Sequence, residues 1–345
     1  MSRTLIVSGV MAVAMAFSVG QMAQAQTTLT VSHWYPPTHG ITTDVVVPWA
    51  QQVEKVTEGR VKAQLAPKVV GSLPAQFDVV RDGLADVVMI VNGYTPGRFP
   101  ISEIGELPFL SDRAVVGSAA YYRLHQKHLA KYNEYKGAHV LSTFSGGSGH
   151  FYNNKRPIKA MEDFRGLKLR SPIAVTNSIA TAVGAVPVQK PINELYELVS
   201  TGVLDGAMVT RESAKGFKLL EVLPYLTVVP GGVYNSILTF LANETKWASI
   251  QKKDQEAIMK ISGEAFAARI GAVYDKADTD GVEAMRAAGK NVDIASGALL
   301  ENLKKALAPV EADWIEKAKK AGVADPAGIL VDFRADIARA TAATN

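Results

Sequence analysis

Residues 28–91 alternate between strand-like and helix-like segments, and this alternation limits the folds open to the chain. Segment 28–33 (TLTVSH) has strand character, and segment 43–57 places valines at helical spacing before Gly59, where a helix commonly ends. Segment 61–65 is again strand-like, and segment 85–91 (ADVVMIV) is a continuous apolar run of the kind that is buried on both faces. Strand, helix and strand in succession predict a parallel sheet covered by helices.

The same alternation returns later in the chain and predicts a second α/β unit. Further strands are expected at 140–144, 167–170, 185–188, 205–210 and 234–242. Segment 244–288 is rich in helix formers and long enough to bridge two units. We predict an α/β fold with two lobes around a cleft. Lobe I takes residues 26–148 and about 235–272, and lobe II takes 149–234 and about 273–345.

A glycine-rich segment, Ser145-Gly146-Gly147-Ser148-Gly149, lies between the two predicted lobes. Glycine tolerates large changes in backbone dihedral angles, so we interpret this segment as a hinge or crossover loop. No Gly-Lys-Ser/Thr follows it, which argues against a phosphate-binding loop.

The N-terminus has the order of features of a secretory signal. Arg3 precedes an apolar run over residues 5–19, and Ala23-Gln24-Ala25 provides the small residues of a cleavage site. The run is shorter than the ~20 apolar residues that span a bilayer. We expect residues 1–25 to be a signal peptide cleaved after Ala25, and the mature chain to reside in the periplasm without membrane insertion.

Composition excludes several classes of function. Cysteine is absent, so thiol nucleophiles, disulfides and thiolate metal sites are excluded. The net charge of +4 is spread without a basic block, which argues against nucleic acid as a partner. An exported enzyme using His33, His39 or His150 is an alternative, but no Gly-x-Ser-x-Gly or His-Glu-x-x-His motif supports it. His125 and His128 lack further metal ligands nearby, so we expect no metal and no cofactor.

Arg170 is the strongest candidate for a ligand-binding residue. It ends the predicted strand 167–170, and Pro172 stops the strand two residues later. Ligand crevices of open α/β sheets form at the carboxyl ends of strands, and a guanidinium there can hold a carboxylate through two hydrogen bonds. The alternative is a surface arginine in an ion pair.

Two other loops follow strand ends and are expected at the same crevice. One carries His33 and Trp34, and the other carries Asn92 and Tyr94. His150 follows the glycine-rich segment, and it either contacts the ligand or packs at the hinge. Asn92 and Asn177 have the same two interpretations.

Several short motifs follow one another along the chain, and their order and spacing together are specific. They are 53–61 (VEKVTEGRV), 83–87 (GLADV), 106–110 (ELPFL), 163–170 (DFRGLKLR), Gly184-Ala185-x-Pro187, Glu194-x-Tyr196 and Gly202-x-x-Asp205-Gly206. In these the sequence resembles the DctP family, the extracytoplasmic solute-binding proteins of tripartite ATP-independent periplasmic (TRAP) transporters. The resemblance implies a two-lobed periplasmic binding protein fold and capture of a small organic acid. It further implies delivery to TRAP membrane permease subunits and an Arg170 salt bridge to the ligand carboxylate. We expect a monomer and no catalysis.

The departures from the family pattern bear on the ligand. His150 stands where many relatives have a second arginine, and Ile173 stands where sialic-acid binders have asparagine. Met208 and Arg211 lie in a segment where relatives have Asn-Pro or Pro-Trp. With Trp34 and the other aromatic residues, these differences favour an apolar or aromatic carboxylate.

Two alternatives remain open at this point. Arg211 either provides a second anion site, which would make the ligand a dicarboxylate, or forms an ion pair with Glu212 or Glu221. A periplasmic sensor domain would use the same cleft.

Overall fold

The computed structural model describes residues 26–343 and has a mixed α/β, two-lobed architecture, which confirms the predicted fold class. The predicted signal peptide, residues 1–25, lies outside the described residues. The strands are β1 Thr27–Ser32, β2 Val61–Leu65, β3 Val87–Val91, β4 Ala138–Asn153, β5 Lys168–Arg170, β6 Val186–Val188, β7 Gly206–Thr210, β8 Tyr225–Val228, β9 Tyr234–Asn243 and β10 Asn291–Ile294.

The α-helices lie between and after these strands. They are α1 Val47–Val56, α2 Gln76–Arg81, α3 Ala114–Leu124, α4 Ala174–Ala182, α5 Leu195–Ser200, α6 Ser213–Gly216, α7 Glu244–Ala248, α8 Lys252–Lys260, α9 Gly263–Ala287, α10 Gly297–Lys320 and α11 Pro326–Ala342. None of the helices within residues 26–343 combines the length and the apolar character needed to cross a bilayer.

The strands form one sheet in the order β2-β1-β3-β9-β4-β7-β5-β6, and β8 and β10 extend it from β4. The pairs β1–β2, β1–β3, β5–β6, β5–β7 and β8–β10 are parallel, as the strand–helix–strand pattern predicts. The sheet as a whole is mixed, because β4 and β9 run antiparallel to their neighbours.

The glycine-rich segment 145–149 is not the loop that the sequence suggested. It belongs to β4, a sixteen-residue strand that pairs with β9 along its first part and with β7 and β8 along its last part. The register against β9 shifts between Ser145 and Ser148, which is a β-bulge at the two central glycines. Glycine therefore permits an irregularity here without ending the strand, since partners on both sides supply its hydrogen bonds.

The helix-forming stretch 244–288 is divided into α7, α8 and α9. Gly263 begins α9 with a positive φ of 57°, a conformation that glycine adopts without strain. Helix α9 then runs for 25 residues without a break. It packs against α3 and β4, and at Gly281 its backbone approaches the chain so closely that a Cβ would lie 2.2 Å from the carbonyl oxygen of Arg211.

The C-terminal helices cover different parts of the sheet. Helix α10 packs against α4, whereas α11 packs against α3. The residue boundaries of the two lobes remain a prediction.

Candidate functional site

A cavity lies where the carboxyl ends of two pairs of parallel strands, β1 with β3 and β5 with β7, meet from opposite directions. The loop after β1 contributes Trp34 and Tyr35, and the turn after β3 contributes Tyr94. Arg170 ends β5, and the segment after β7 contributes Glu212. The cavity measures about 40 Å³. One water molecule needs about 10–15 Å³ of such cavity volume, so this cavity leaves room for a compact ligand only.

Arg170 is held in place by neutral hydrogen-bond acceptors. The side chain is 2% exposed. Its Nε donates to the carbonyl oxygen of Lys190 at 2.8 Å, Nη1 donates to that of Met208 at 3.3 Å, and Nη2 donates to the hydroxyl of Tyr94 at 3.0 Å. These contacts come from segments far apart in sequence, so they fix the guanidinium plane relative to both β5 and β3.

The positive charge of Arg170 has no acidic partner among residues 26–343, in which no carboxylate oxygen lies within 4.0 Å of it. A guanidinium carries five N–H groups, and three are used, so each terminal nitrogen keeps one free donor. The Tyr94 hydroxyl accepts from Arg170 and from the backbone N–H of Ile192, which leaves its own proton free to donate. Together these groups form a site with three donors for a carboxylate.

Aromatic side chains form one wall of the cavity. The rings of Trp34 and Tyr35 are stacked with centroids 3.8 Å apart, and Phe217 lies 6.2 Å from Tyr35. The indole Nε1 of Trp34 donates to the carbonyl oxygen of Met89 at 2.9 Å, so the stack is anchored to β3. Such a surface suits a flat apolar ring.

Another part of the cavity lining is polar, and the hydroxyl of Tyr35 belongs to it. Tyr35 and Tyr274 share a hydroxyl–hydroxyl hydrogen bond. Burial raises the pKa of Tyr35 well above its ordinary value, and the neighbouring Tyr274 and Glu212 raise that pKa further. Glu212 is buried and accepts hydrogen bonds from the hydroxyls of Thr210 and Ser213 and from the ring of His39.

Arg211 forms an ion pair, and its partner is Asp278 of α9, not Glu212 or Glu221. Nη2 of Arg211 lies 3.1 Å from Oδ2 of Asp278, and the same nitrogen donates to the carbonyl oxygen of Asp112. Burial raises the pKa of Asp278 to about 7, and the adjacent Arg211 opposes this rise. The side chain of Arg211 is not part of the cavity lining.

Trp34, Tyr94 and Arg170 are the sequence-predicted site residues that line the cavity, and the others are not among its lining residues. The His33 ring is hydrogen-bonded to Thr42 at 2.7 Å, and burial lowers the pKa of His33 to about 4. Nδ1 of His150 accepts from the backbone N–H of Val229, and burial lowers the pKa of His150 well below its ordinary value. Met208 contributes its carbonyl oxygen to Arg170.

The three remaining predicted residues do not line the cavity either. The Asn92 amide donates to Tyr135 and accepts from Thr239. Asn177 donates to Gln189 at 3.2 Å. Ile173 is fully buried and packs on Gly93, where a Cβ would lie 2.3 Å from Cγ2 of Ile173. A side chain at position 93 would therefore collide with the start of α4.

Sequence reasoning did not assign Glu212, Tyr234 or Tyr274 to the site. Glu212 follows the carboxyl end of β7 just as Tyr94 follows β3, so the rule that found Tyr94 could have found it. Tyr274 lies in the middle of α9 and carries no local signal. Among residues 26–343, no group of three or more histidine and acidic side chains is placed to hold a metal ion.

The sequence matches the family model for bacterial extracellular solute-binding protein, family 7 (DctP), over residues 31–318. The chain belongs to this family. A curated DctP-like relative, described as "Outer membrane transporter protein TsaT" from Comamonas testosteroni, is 31% identical over 303 residues, which cover 87% of this chain and 89% of that protein. DctP proteins are extracytoplasmic solute-binding proteins of TRAP transporters, and the family is not enzymatic.

Two solved TRAP solute-binding proteins have the same fold as this DctP chain. One, from Bordetella bronchiseptica, was solved with bound (R)-mandelate and (S)-mandelate; it is 36% identical with a TM-score of 0.87, covering 91% of this chain and 99% of its own. The other, from Rhodoferax ferrireducens T118, was solved with copurified benzoate; it is 26% identical with a TM-score of 0.86, covering 93% of this chain and 100% of its own.

Proposed function

We propose that this chain captures a compact aromatic monocarboxylate in the periplasm, holds its carboxylate on Arg170, and delivers it to the membrane subunits of a TRAP transporter. The observation that carries the proposal is the environment of Arg170. It is a buried cation without an acidic partner among the described residues, with two N–H groups to spare, in the wall of a cavity.

The energetics favour an anionic ligand at this position. A buried ion is costly unless it is paired, and neutral acceptors compensate only part of that cost. A carboxylate that accepts from both terminal nitrogens supplies the missing charge and two parallel hydrogen bonds. The free proton of the Tyr94 hydroxyl adds a third donor.

The cavity wall supports an aromatic ligand. Trp34, Tyr35 and Phe217 contribute aromatic rings to the lining, and Val91 and Leu238 add aliphatic side chains. A highly hydroxylated sugar acid would leave hydroxyl groups unpaired against this wall. Mandelate and benzoate, the ligands of the two solved relatives, are compact aromatic carboxylates.

The same geometry supports one carboxylate rather than two. Arg211, the candidate for a second anion site, is committed to Asp278 and does not line the cavity. Glu212 places a further carboxylate in the cavity wall, and like charges repel strongly at short range in a buried site.

The cellular part of the proposal follows from the N-terminus and the family. We propose export with cleavage after Ala25 and action as a monomer whose two lobes close on the ligand, with closure favoured because both lobes contact it. Uptake of the acid into vesicles that carry TRAP membrane subunits, dependent on added chain, would test the delivery step.

Ligand binding is tested with the mature chain, refolded after denaturation to remove bound acids. Calorimetry with benzoate and mandelate is expected to show saturable one-to-one binding, and both acids should raise the thermal unfolding midpoint. Benzamide, which keeps the ring and lacks the charge, is the matched negative control. Tight binding of glucuronate or succinate with no response to either aromatic acid would contradict the proposal.

A further inference from the structure

The cavity has a second functional end, formed by Glu212, Tyr35 and Tyr274. All three residues line the same cavity as Arg170, and all three are buried. We call this group the polar end. A ligand held only by its carboxylate and its ring would leave these polar groups without a role in binding.

Glu212 keeps acceptor capacity after its internal hydrogen bonds are made. Oε1 accepts from Thr210 at 2.9 Å and from Ser213 at 2.8 Å, whereas within residues 26–343 Oε2 accepts only from Nε2 of His39 at 3.0 Å. A carboxylate has about four acceptor positions, two on each oxygen. One position on Oε2 is therefore open.

The groups that donate hydrogen bonds to the Glu212 carboxylate are neutral. Nδ1 of His39 accepts the backbone N–H of Ile41 at 3.1 Å, so Nε2 carries the ring proton that His39 donates to Glu212. No lysine or arginine forms an ion pair with Glu212 in the part of the chain that is described. The polar end therefore favours a hydrogen-bond donor and disfavours an anion.

The two tyrosine hydroxyls add a donor and an acceptor. Tyr35 and Tyr274 make a single hydrogen bond to each other, which uses one of their two protons. The other proton has no protein acceptor among residues 26–343. A ligand hydroxyl can thus accept from this tyrosine pair while it donates to Glu212.

We propose that the polar end recognises a hydroxyl group on the ring of the aromatic acid, and that Glu212 excludes acids with a second carboxylate. This inference rests on the proposed function and specifies its ligand as a hydroxylated aromatic monocarboxylate. Arg170 and Tyr94 hold the carboxylate, the wall of Trp34 and Tyr35 holds the ring, and Glu212 accepts a hydrogen bond from the phenolic hydroxyl.

Calorimetry with benzoate, 3-hydroxybenzoate, 4-hydroxybenzoate and isophthalate tests the assignment. A hydrogen bond to a buried charged group is worth about ten- to hundredfold in affinity. The better hydroxybenzoate isomer should therefore bind about ten- to hundredfold more tightly than benzoate, and isophthalate should bind more weakly than benzoate. In Glu212→Gln, the preference for the hydroxyl should fall to within about threefold, and isophthalate should gain affinity.

Two controls keep the result interpretable. Tyr274→Phe removes one hydroxyl while Glu212 and its three donors stay intact, so it should also reduce the preference; it decides the question if Glu212→Gln does not fold. Glu197→Gln, an exposed change on α5, should leave all affinities unchanged.

The failures of the two proposals are distinguishable. Equal or weaker binding of both hydroxybenzoates compared with benzoate would overturn the role of the polar end while the proposed function stands. An unchanged hydroxyl preference in a folded Glu212→Gln or Tyr274→Phe variant would overturn it as well. If none of the aromatic acids binds, the proposed function itself fails, and the ligand assignment fails with it.

Discussion

Replacing Arg170 with lysine should abolish tight carboxylate binding and leave the fold intact. Lysine retains the positive charge, but its ammonium is a point charge and cannot present the planar fork that takes both oxygens of a carboxylate. It also cannot reach the Lys190 carbonyl, the Met208 carbonyl and the Tyr94 hydroxyl from one rigid plane, as the guanidinium does. The carboxylate would lose both its two-point contact and the fixed position of the charge.

The size of the effect follows from burial. Truncating one partner of a desolvated, hydrogen-bonded charge pair typically costs about 2–5 kcal/mol, which corresponds to a rise in Kd of about thirtyfold to several thousandfold. The loss of stability without ligand should be smaller, about 1–2 kcal/mol, because the three contacts of Arg170 are to neutral acceptors and lysine can replace some of them.

The assay is calorimetry with benzoate and mandelate on Arg170→Lys, alongside urea unfolding of the same protein. Arg165→Lys, an identical substitution at an exposed arginine five residues earlier, is the matched control and should bind as the original chain does. Binding by a folded Arg170→Lys protein within about threefold of the original would refute the reasoning.

Three further changes test the surroundings of the site. Arg211→Ala leaves Asp278 buried without its ion-pair partner, so at pH 8 the free energy of unfolding should fall by about 3–5 kcal/mol. The relative affinities for monocarboxylates and dicarboxylates should stay the same. A selective loss of affinity for dicarboxylates would instead give Arg211 a role in ligand binding. Gly281→Ala places a methyl group 2.2 Å from the Arg211 carbonyl oxygen, so urea unfolding should show a loss of about 1–3 kcal/mol although alanine favours helices; unchanged stability would argue against this close packing. Burial raises the pKa of Glu106 well above its ordinary value, so ionisation disfavours the folded state and the penalty grows as the pH rises above about 4.5. In urea unfolding between pH 5 and 8, the free energy of unfolding of the original chain should fall by up to about 1.4 kcal/mol per pH unit relative to Glu106→Gln. Parallel pH curves for the two proteins would contradict the shift.

The parts of the site that could be predicted from sequence depend on local patterns. The apolar run of β3 and the alternation in β5 predict strands, and residues just past the carboxyl ends of strands in α/β sheets lie at ligand crevices. Tyr94 and Arg170 were found in this way. The glycines of segment 145–149 suggested a loop because their conformational freedom is local, whereas the pairing of β4 with β9 and β7 is a property of the whole sheet; a hinge at this segment stays a prediction.

The rest depends on contacts between residues that are distant in sequence. His39 and Glu212 are 173 residues apart, and Tyr35 and Tyr274 are 239 apart. Arg211 has acidic residues close by in sequence, but it pairs with Asp278, 67 residues away, because α9 crosses the chain at that point. No spacing rule on a single sequence identifies such partners.

The contact between Gly93 and Ile173 implies that affinity and selectivity can change independently in this protein. The measured Kd of a binding protein is its intrinsic Kd divided by the fraction of molecules in the binding-competent arrangement. Neither Gly93 nor Ile173 lines the cavity, and a methyl group on Gly93 would lie 2.3 Å from Cγ2 of Ile173, which opposes the arrangement described. A Gly93→Ala chain would therefore bind every acid more weakly by one common factor and keep their order of preference. The residue at position 93 thus affects the Kd for every acid without changing the ratios between the Kd values of different acids.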